Sequence, residues 1–258
     1  MLITVDFFNK VSGKGVNDNM VSALRGLQFA GDAVGLAKPH RLAMFMGQTG
    51  HESAGWRYDR EIWGPTAAQR GYEGRADLGN TQKGDGSKFR GYTPMQITGR
   101  YNTTKFYKWC VATFPDLKVP DFIDDPSLMN TDPWEGIGPL WYWAYGKPAS
   151  LNVTADRGDF IGNTKLVNGG LNGLDDRYRY YGRAALVLLG RDPNDVAGFQ
   201  RHYGLKADGK VGAITQAKMH QLLFALPEVK FNEKKTVTTK SNSILDFIMS
   251  ILRMFKGK

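Results

Sequence analysis

The chain has 258 residues, 41% of them hydrophobic, which suits one medium domain with a smaller unit attached and excludes disorder throughout. Its single cysteine, Cys110, excludes a disulfide framework, no run reaches the roughly 18 apolar residues of a spanning helix, and Met1 to Phe7 lacks the pattern of a secretory leader. The net charge of +9 is uneven, +3 over residues 1–190, +1 over 191–228 and +5 over 229–258; this suits an anionic polymer or membrane surface, and no motif supports nucleic acid.

Residues 1–15 read as a lead-in closed by Gly13 and Gly15. Asn17 or Asp18 then caps a helix carrying Met20, Leu24, Leu27 and Phe29, which stops near Gly31. Pro39 suits the first turn of the next helix, where Leu42, Phe45, Met46 and Thr49 recur with helical spacing up to His51-Glu52-Ser53. From Trp56 to Lys88 the pattern is irregular and rich in Gly, Asp and Asn, the signature of a long functional loop or a small β element. Phe89 to Ile97 alternates loosely as a strand would, before a helical run from Thr98 through Phe106 and Trp109.

The aromatic group Trp134, Trp141, Tyr142, Trp143 and Tyr145 reads first as core packing, with sugar stacking as the alternative. Phe160–Val167 and Asp175–Leu189 read as helices joined by the turn from Asn168 to Gly173. A boundary near Gly190-Arg191-Asp192-Pro193-Asn194 sets off residues 191–226, a satellite unit with two apolar helical patterns. Residues 227–242 are linker-like, and 243–258 place Ile244, Ile248, Ile251, Leu252 and Phe255 on one face of a cationic helix. That helix suits a membrane surface or docking on a partner equally.

A carboxyl at the end of a buried helix loses hydration, as a general acid requires, which makes Glu52 the first catalytic candidate. Glu73, in Tyr72-Glu73-Gly74-Arg75, offers a second carboxylate, although spacing alone fits a surface pair with Arg75 as well. Hydrolysis with inversion needs one carboxyl for the leaving oxygen and one carboxylate for water, about 6.5–9.5 Å apart. The four histidines are scattered and lack zinc-helix spacing, so neither metal nor cofactor is expected. Cys110 reads as a small buried hydrophobe.

Five motifs in order resemble the family 19 glycoside hydrolases, the chitinase-related group that includes many phage endolysins. They are His51-Glu52-Ser53, Tyr72 to Asn80, Gly84-Asp85-Gly86 with Phe89-Arg90-Gly91, Gln96 to Asn102, and Asn168 to Gly173 with Asp176-Arg177. The resemblance covers residues 40–190. It implies a mainly α, lysozyme-like α+β catalytic domain over residues 1–190, in which Glu52 protonates the leaving oxygen, Glu73 activates water and Thr98 helps to hold that water. Gln96, Asn102 and Asn168 would bind the sugar, and Arg177 either joins them or forms a buried ion pair. The family commonly has Arg-Gly where this chain has Tyr92-Thr93, so a fixed positive charge is lost near the cleft. Residues 195–220 resemble the small helical peptidoglycan-binding module, which favours bacterial wall over chitin.

The expectation is therefore a monomeric endolysin that hydrolyses β-1,4 bonds of peptidoglycan. It would wait in the host cytoplasm until a holin opens the inner membrane, and its cationic tail would engage the outer-membrane surface. A chitinase is the runner-up and a lytic transglycosylase the third choice. A non-catalytic wall-binding or virion protein is the alternative from another class.

Overall fold

The computed structural model describes residues 1–62 and 64–232. In chain order the α-helices are α1 (Val5–Ser12), α2 (Asp18–Gly26), α3 (Pro39–Glu52), α4 (Ala67–Arg70), α5 (Asp85–Lys88) and α6 (Arg100–Thr113). They continue as α7 (Trp134–Tyr145), α8 (Asn152–Asp156), α9 (Phe160–Asn168), α10 (Leu174–Leu188), α11 (Val196–His202) and α12 (Ala213–Phe224). The fold is mainly α. Residues 233–242 of the expected linker and the expected amphipathic helix at 243–258 lie outside the described residues.

The local signals act where the sequence places them. Asn17 caps α2 by accepting from the Met20 amide at 3.0 Å, and Pro39 opens α3, where its missing N–H costs nothing. A single π-helical turn, Leu27–Gly31, ends the α2 run. The strand expected at Phe89–Ile97 is instead a tight reversal. Tyr92 and Ile97 exchange backbone hydrogen bonds of 3.2 and 2.7 Å around Thr93-Pro94-Met95-Gln96, with Thr93 and Gln96 at positive φ. Proline cannot donate to a ladder, so the alternation closes on itself, and β structure among the described residues is limited to isolated bridges.

Helices α3 and α10 form the centre. Gly47 and Gly50 of α3 face α10, where a β-carbon on Gly50 would lie 2.6 Å from the Tyr180 ring and one on Gly47 would lie 3.1 Å from the Arg177 carbonyl. Both glycines let the backbones approach closely, and that approach brings the end of α3 against Arg177. Helices α2 and α7 cross by the same device, with Gly26 and Gly136 set backbone against backbone.

One apolar cluster joins Phe7, Phe8, Leu42, Phe45, Trp143, Tyr180 and Tyr181, and a second gathers Phe106, Cys110, Phe122, Trp134 and Trp141 around α6 and α7. The tryptophans at 134, 141 and 143 are thus core residues, whereas Tyr145 is half exposed. Burial also pushes the Cys110 thiol far up, which leaves it inert.

The segment expected to be a satellite unit shares the first of these clusters. Phe199, Met219 and Leu223 are fully buried in it, and Val211 packs on Gly182 of α10. Buried Gln200 organises the loop between α11 and α12, donating to Asp208, the Lys210 carbonyl and Thr215 while its own oxygen accepts from the Gly209 amide.

The start of the stretch expected to be a linker is also part of the body. The Val229 amide donates to the Ala37 carbonyl at 2.8 Å, and Lys230 pairs with Met1 and Ile3 through backbone hydrogen bonds of 2.9 and 2.8 Å. Val229 and Phe231 are buried, so these residues form a strap across the N-terminus. Alternating Val229 and Phe231 supply the apolar face that the surrounding lysines obscure.

Candidate active site

Glu52 ends α3 half-buried, with 23% of its side chain exposed. The α3–α10 contact supplies its partner: Arg177, which has no exposure, donates through Nη2 to Glu52 Oε1. The remaining guanidinium donors bind Gln48 Oε1 at 2.6 Å and the Asn172 carbonyl at 3.1 Å, and Gln48 is held in turn by Thr164 at 3.0 Å. Arg177 therefore lies behind the carboxylate and is closed to a sugar, which corrects the expectation that it binds substrate. Among the two readings left open for it, the buried ion pair is the one observed. This arrangement fixes Oε1, and part of the carboxylate stays open to solvent.

His51 packs its ring on Gly173 and meets Asp176 at 2.9 Å. Burial opposes ionisation of Asp176, yet hydrogen bonds from His51 and Arg179 hold its carboxyl below the usual range. This pair anchors the Asn168–Gly173 turn beside Glu52. Asn168 itself is exposed at the end of α9, followed by left-handed Gly169, which leaves its amide open to a ligand.

Gln96, Thr98 and Asn102 form a chain. Asn102 donates to the Thr98 carbonyl at 3.0 Å, Thr98 donates to the Gln96 carbonyl at 3.0 Å, and the Gln96 side chain lies against Gly91 where no β-carbon would fit. Gln96 sits at φ 53, a strained conformation for a residue with a side chain, as residues held for a ligand often are.

A carboxylate that the sequence did not single out, Glu61, binds Gly91, the residue on which the Gln96 side chain lies. Its Oε2 accepts from the Gly91 amide at 3.0 Å, its Oε1 accepts from Gln69 at 3.0 Å and Tyr72 at 3.3 Å, and its own amide donates to the Gly91 carbonyl at 2.8 Å. Glu61 is half-buried and falls nine residues after Glu52. Its only sequence signal is that spacing, within an irregular stretch.

Glu73 holds a loop. Its two oxygens accept from the amides of Gly84 at 2.7 Å and Gly86 at 2.8 Å, which ties the loop to the start of α5. It forms no pair with Arg75, which binds Asp77 at 2.5 Å instead. The residue stays exposed, so solvent reaches it.

Tyr92 stands where the family resemblance places arginine. It is buried, its hydroxyl donates to the Lys88 carbonyl at 3.3 Å, and the Arg90 guanidinium lies 5.1 Å over its ring. Arg90 and the Arg60 backbone bridge keep cationic residues around the reversal. Thr93 stands where the resemblance places glycine and adopts φ 64. In α7, burial and the nearby Asp59 charge push Glu135 up to about 7, despite Arg60. Among the described residues no group of three or more His, Cys, Asp or Glu could hold a metal ion.

No family model matches the chain. A glycosyl hydrolase family 19 domain-containing protein of Haemophilus influenzae is 28% identical over 219 residues, covering 72% of this chain and 97% of the relative. The chain is a homologue of that family 19 domain. Solved structures agree in fold. A bacterial family 19 chitinase superposes with a TM-score of 0.55 at 20% identity, over 75% of this chain and 97% of its own. Chitinase C of Streptomyces griseus superposes with a TM-score of 0.50 at 20% identity, over 74% of this chain and 78% of its own. The family 19 homologue thus has the mainly α, lysozyme-like fold of a glycoside hydrolase.

Proposed function

We propose that this glycoside hydrolase homologue is an endolysin-type muramidase that cleaves β-1,4 bonds of bacterial peptidoglycan with inversion. The observation that carries the chemistry is a half-buried Glu52 held from behind by a fully buried Arg177. Glu52 gives its proton to the glycosidic oxygen as the bond to the anomeric carbon breaks. Glu61 takes a proton from the water that attacks the opposite face of that carbon, and the Gln96–Thr98–Asn102 chain positions water and sugar. Glu73, the carboxylate expected for this task from sequence, remains the second reading for the base because it is exposed. Asn168 is assigned to the N-acetyl sugar.

Wall over chitin is supported by the basic charge and by the resemblance of residues 195–220 to a wall-binding module. A chitinase is the second reading, favoured by the identity of the solved neighbours. We assign the protein to the host cytoplasm before lysis, with action on the wall after holin opening. Its cationic end is assigned to the anionic outer-membrane surface.

Digestion of purified peptidoglycan and of chitin oligomers, with mass spectrometry of the new ends, tests this reading. Reducing N-acetylmuramic acid ends support it. Reducing N-acetylglucosamine ends from chitin alone support the chitinase, 1,6-anhydro ends indicate a transglycosylase, and binding without release indicates a wall-binding protein.

A further inference from the structure

Asn130 has no part in the steps above, yet it joins the two segments that hold the candidate base. Around the bridge between Arg60 and Tyr92, the chain at Asp59-Arg60-Glu61 runs antiparallel to Gly91-Tyr92-Thr93. On one side of that bridge the pairing is direct, because the Glu61 amide donates to the Gly91 carbonyl at 2.8 Å. On the other side, where an antiparallel pair would set the Thr93 amide on the Asp59 carbonyl, the Asn130 side chain stands in for the bond. Its Oδ1 accepts from the Thr93 amide at 3.0 Å, and its Nδ2 donates to the Asp59 carbonyl at 2.6 Å.

A side-chain amide offers a donor and an acceptor together, which is what this gap in the pairing requires. Thr93 already turns into the reversal at φ 64, so the register beyond Tyr92 depends on the side chain that spans the gap. Asn130 is itself anchored. It ends the 3-10 turn Pro126–Asn130, whose Met129 is fully buried in the second apolar cluster. The register matters to Glu61 because its Oε2 accepts from the Gly91 amide at 3.0 Å, and the Gln96 side chain lies on Gly91. We propose that Asn130 is a positioning residue that sets the Glu61 carboxylate against the Gln96–Thr98–Asn102 chain by lacing Asp59 to Thr93. This inference rests on the reading of Glu61 as the base of the glycoside hydrolase.

The test uses the full chain and soluble peptidoglycan strands, and reads kcat and KM separately. Asn130→Ala, shown to be folded by circular dichroism, should lose about tenfold to a hundredfold in kcat with KM changed less than about twofold. Asn130→Asp keeps the acceptor for Thr93 but regains a donor for Asp59 only while the new carboxyl is protonated. Its kcat relative to the wild type should therefore fall as pH rises from about 4 to about 7. In the Glu61→Gln background, Asn130→Ala should change the residual rate less than about twofold, since the group it positions is gone. A purely structural Asn130 would lower the melting temperature and leave kcat of the folded protein and the pH ratio unchanged. Should Asn130→Ala not fold, the Asn130→Asp ratio decides alone. Full kcat in Asn130→Ala, a ratio for Asn130→Asp that does not vary with pH, or an undiminished loss in the Glu61→Gln background overturns the proposal while leaving the hydrolase reading intact. Near-normal activity of Glu61→Gln removes Glu61 as the base and the proposal with it.

Discussion

Arg177 reaches Glu52 from a position with no solvent exposure, so the positive charge that orients the candidate acid is itself held only by protein groups, Gln48 and the Asn172 carbonyl. Breaking a buried pair from one side is costly because the other charge is left behind. Glu52→Gln keeps a neutral acceptor for Arg177 and should lower stability by about 1–2 kcal/mol while abolishing detectable hydrolysis. Arg177→Gln removes the central cation and should cost about 3–5 kcal/mol. Urea denaturation of both variants checks the order, and equal stability losses would contradict it.

Gly50 sets how closely α3 approaches α10. A β-carbon there would overlap the Tyr180 ring, and an overpacked interface typically loses about 1–3 kcal/mol. Gly50→Ala should lower the melting temperature and also reduce kcat, since the strain is relieved by moving the helix that carries Glu52. Thermal melts read alongside peptidoglycan turnover separate the two effects.

Thr93 is held at φ 64 in a reversal whose neighbour Gly138 accommodates its side chain. A β-branched residue in that region carries strain of about 1–3 kcal/mol, which glycine does not. Thr93→Gly should therefore be neutral or stabilising despite the packing it loses. A drop in melting temperature would show that the Thr93 contact with α7 outweighs the backbone strain.

Glu135 titrates near neutrality, with a folded value of about 7 against an ordinary 4.5. The unfolded chain gives up this proton first, so between these two pH values it binds fewer protons than the native state and stability falls as pH rises. The loss is complete above the folded value. Glu135→Gln has no proton to lose, so relative to the wild type it should gain about 1–3 kcal/mol on going from pH 4.5 to pH 8. Paired denaturation curves at the two pH values measure that difference.

Phe231 fastens the strap against Gly31, and its ring is fully buried. Phe231→Ala should cost about 3–5 kcal/mol, as for other large core aromatics, although sequence spacing assigns the residue to a linker. A surface-like change under 0.5 kcal/mol would contradict the strap.

What could be read from the sequence was local. The Asn17 cap, Pro39 at the head of α3 and Glu52 at its end follow from spacing and cap chemistry within a few residues. Glu61 escaped because the partner that sets it beside the reversal, Gly91, lies 30 residues away and its own stretch has no periodicity. The packing of residues 191–226 was hidden for a related reason. The apolar faces of α11 and α12 show that they are buried but not against what, and Phe199, Met219 and Leu223 complete the main core. Tyr92 to Gln96 misled as a strand because alternation says nothing about a chain that turns back on itself.

The central claim is that Glu52 and Glu61 perform the acid and base steps. Initial rates of peptidoglycan hydrolysis by Glu52→Gln, Glu61→Gln and Glu73→Gln, each shown to be folded by circular dichroism, test it most directly. The account predicts losses of about a thousandfold or more for the first two and less than tenfold for the third, whose amide still accepts one loop N–H. Near-normal activity of Glu61→Gln, with Glu73→Gln inactive, would contradict it and return the base to the loop.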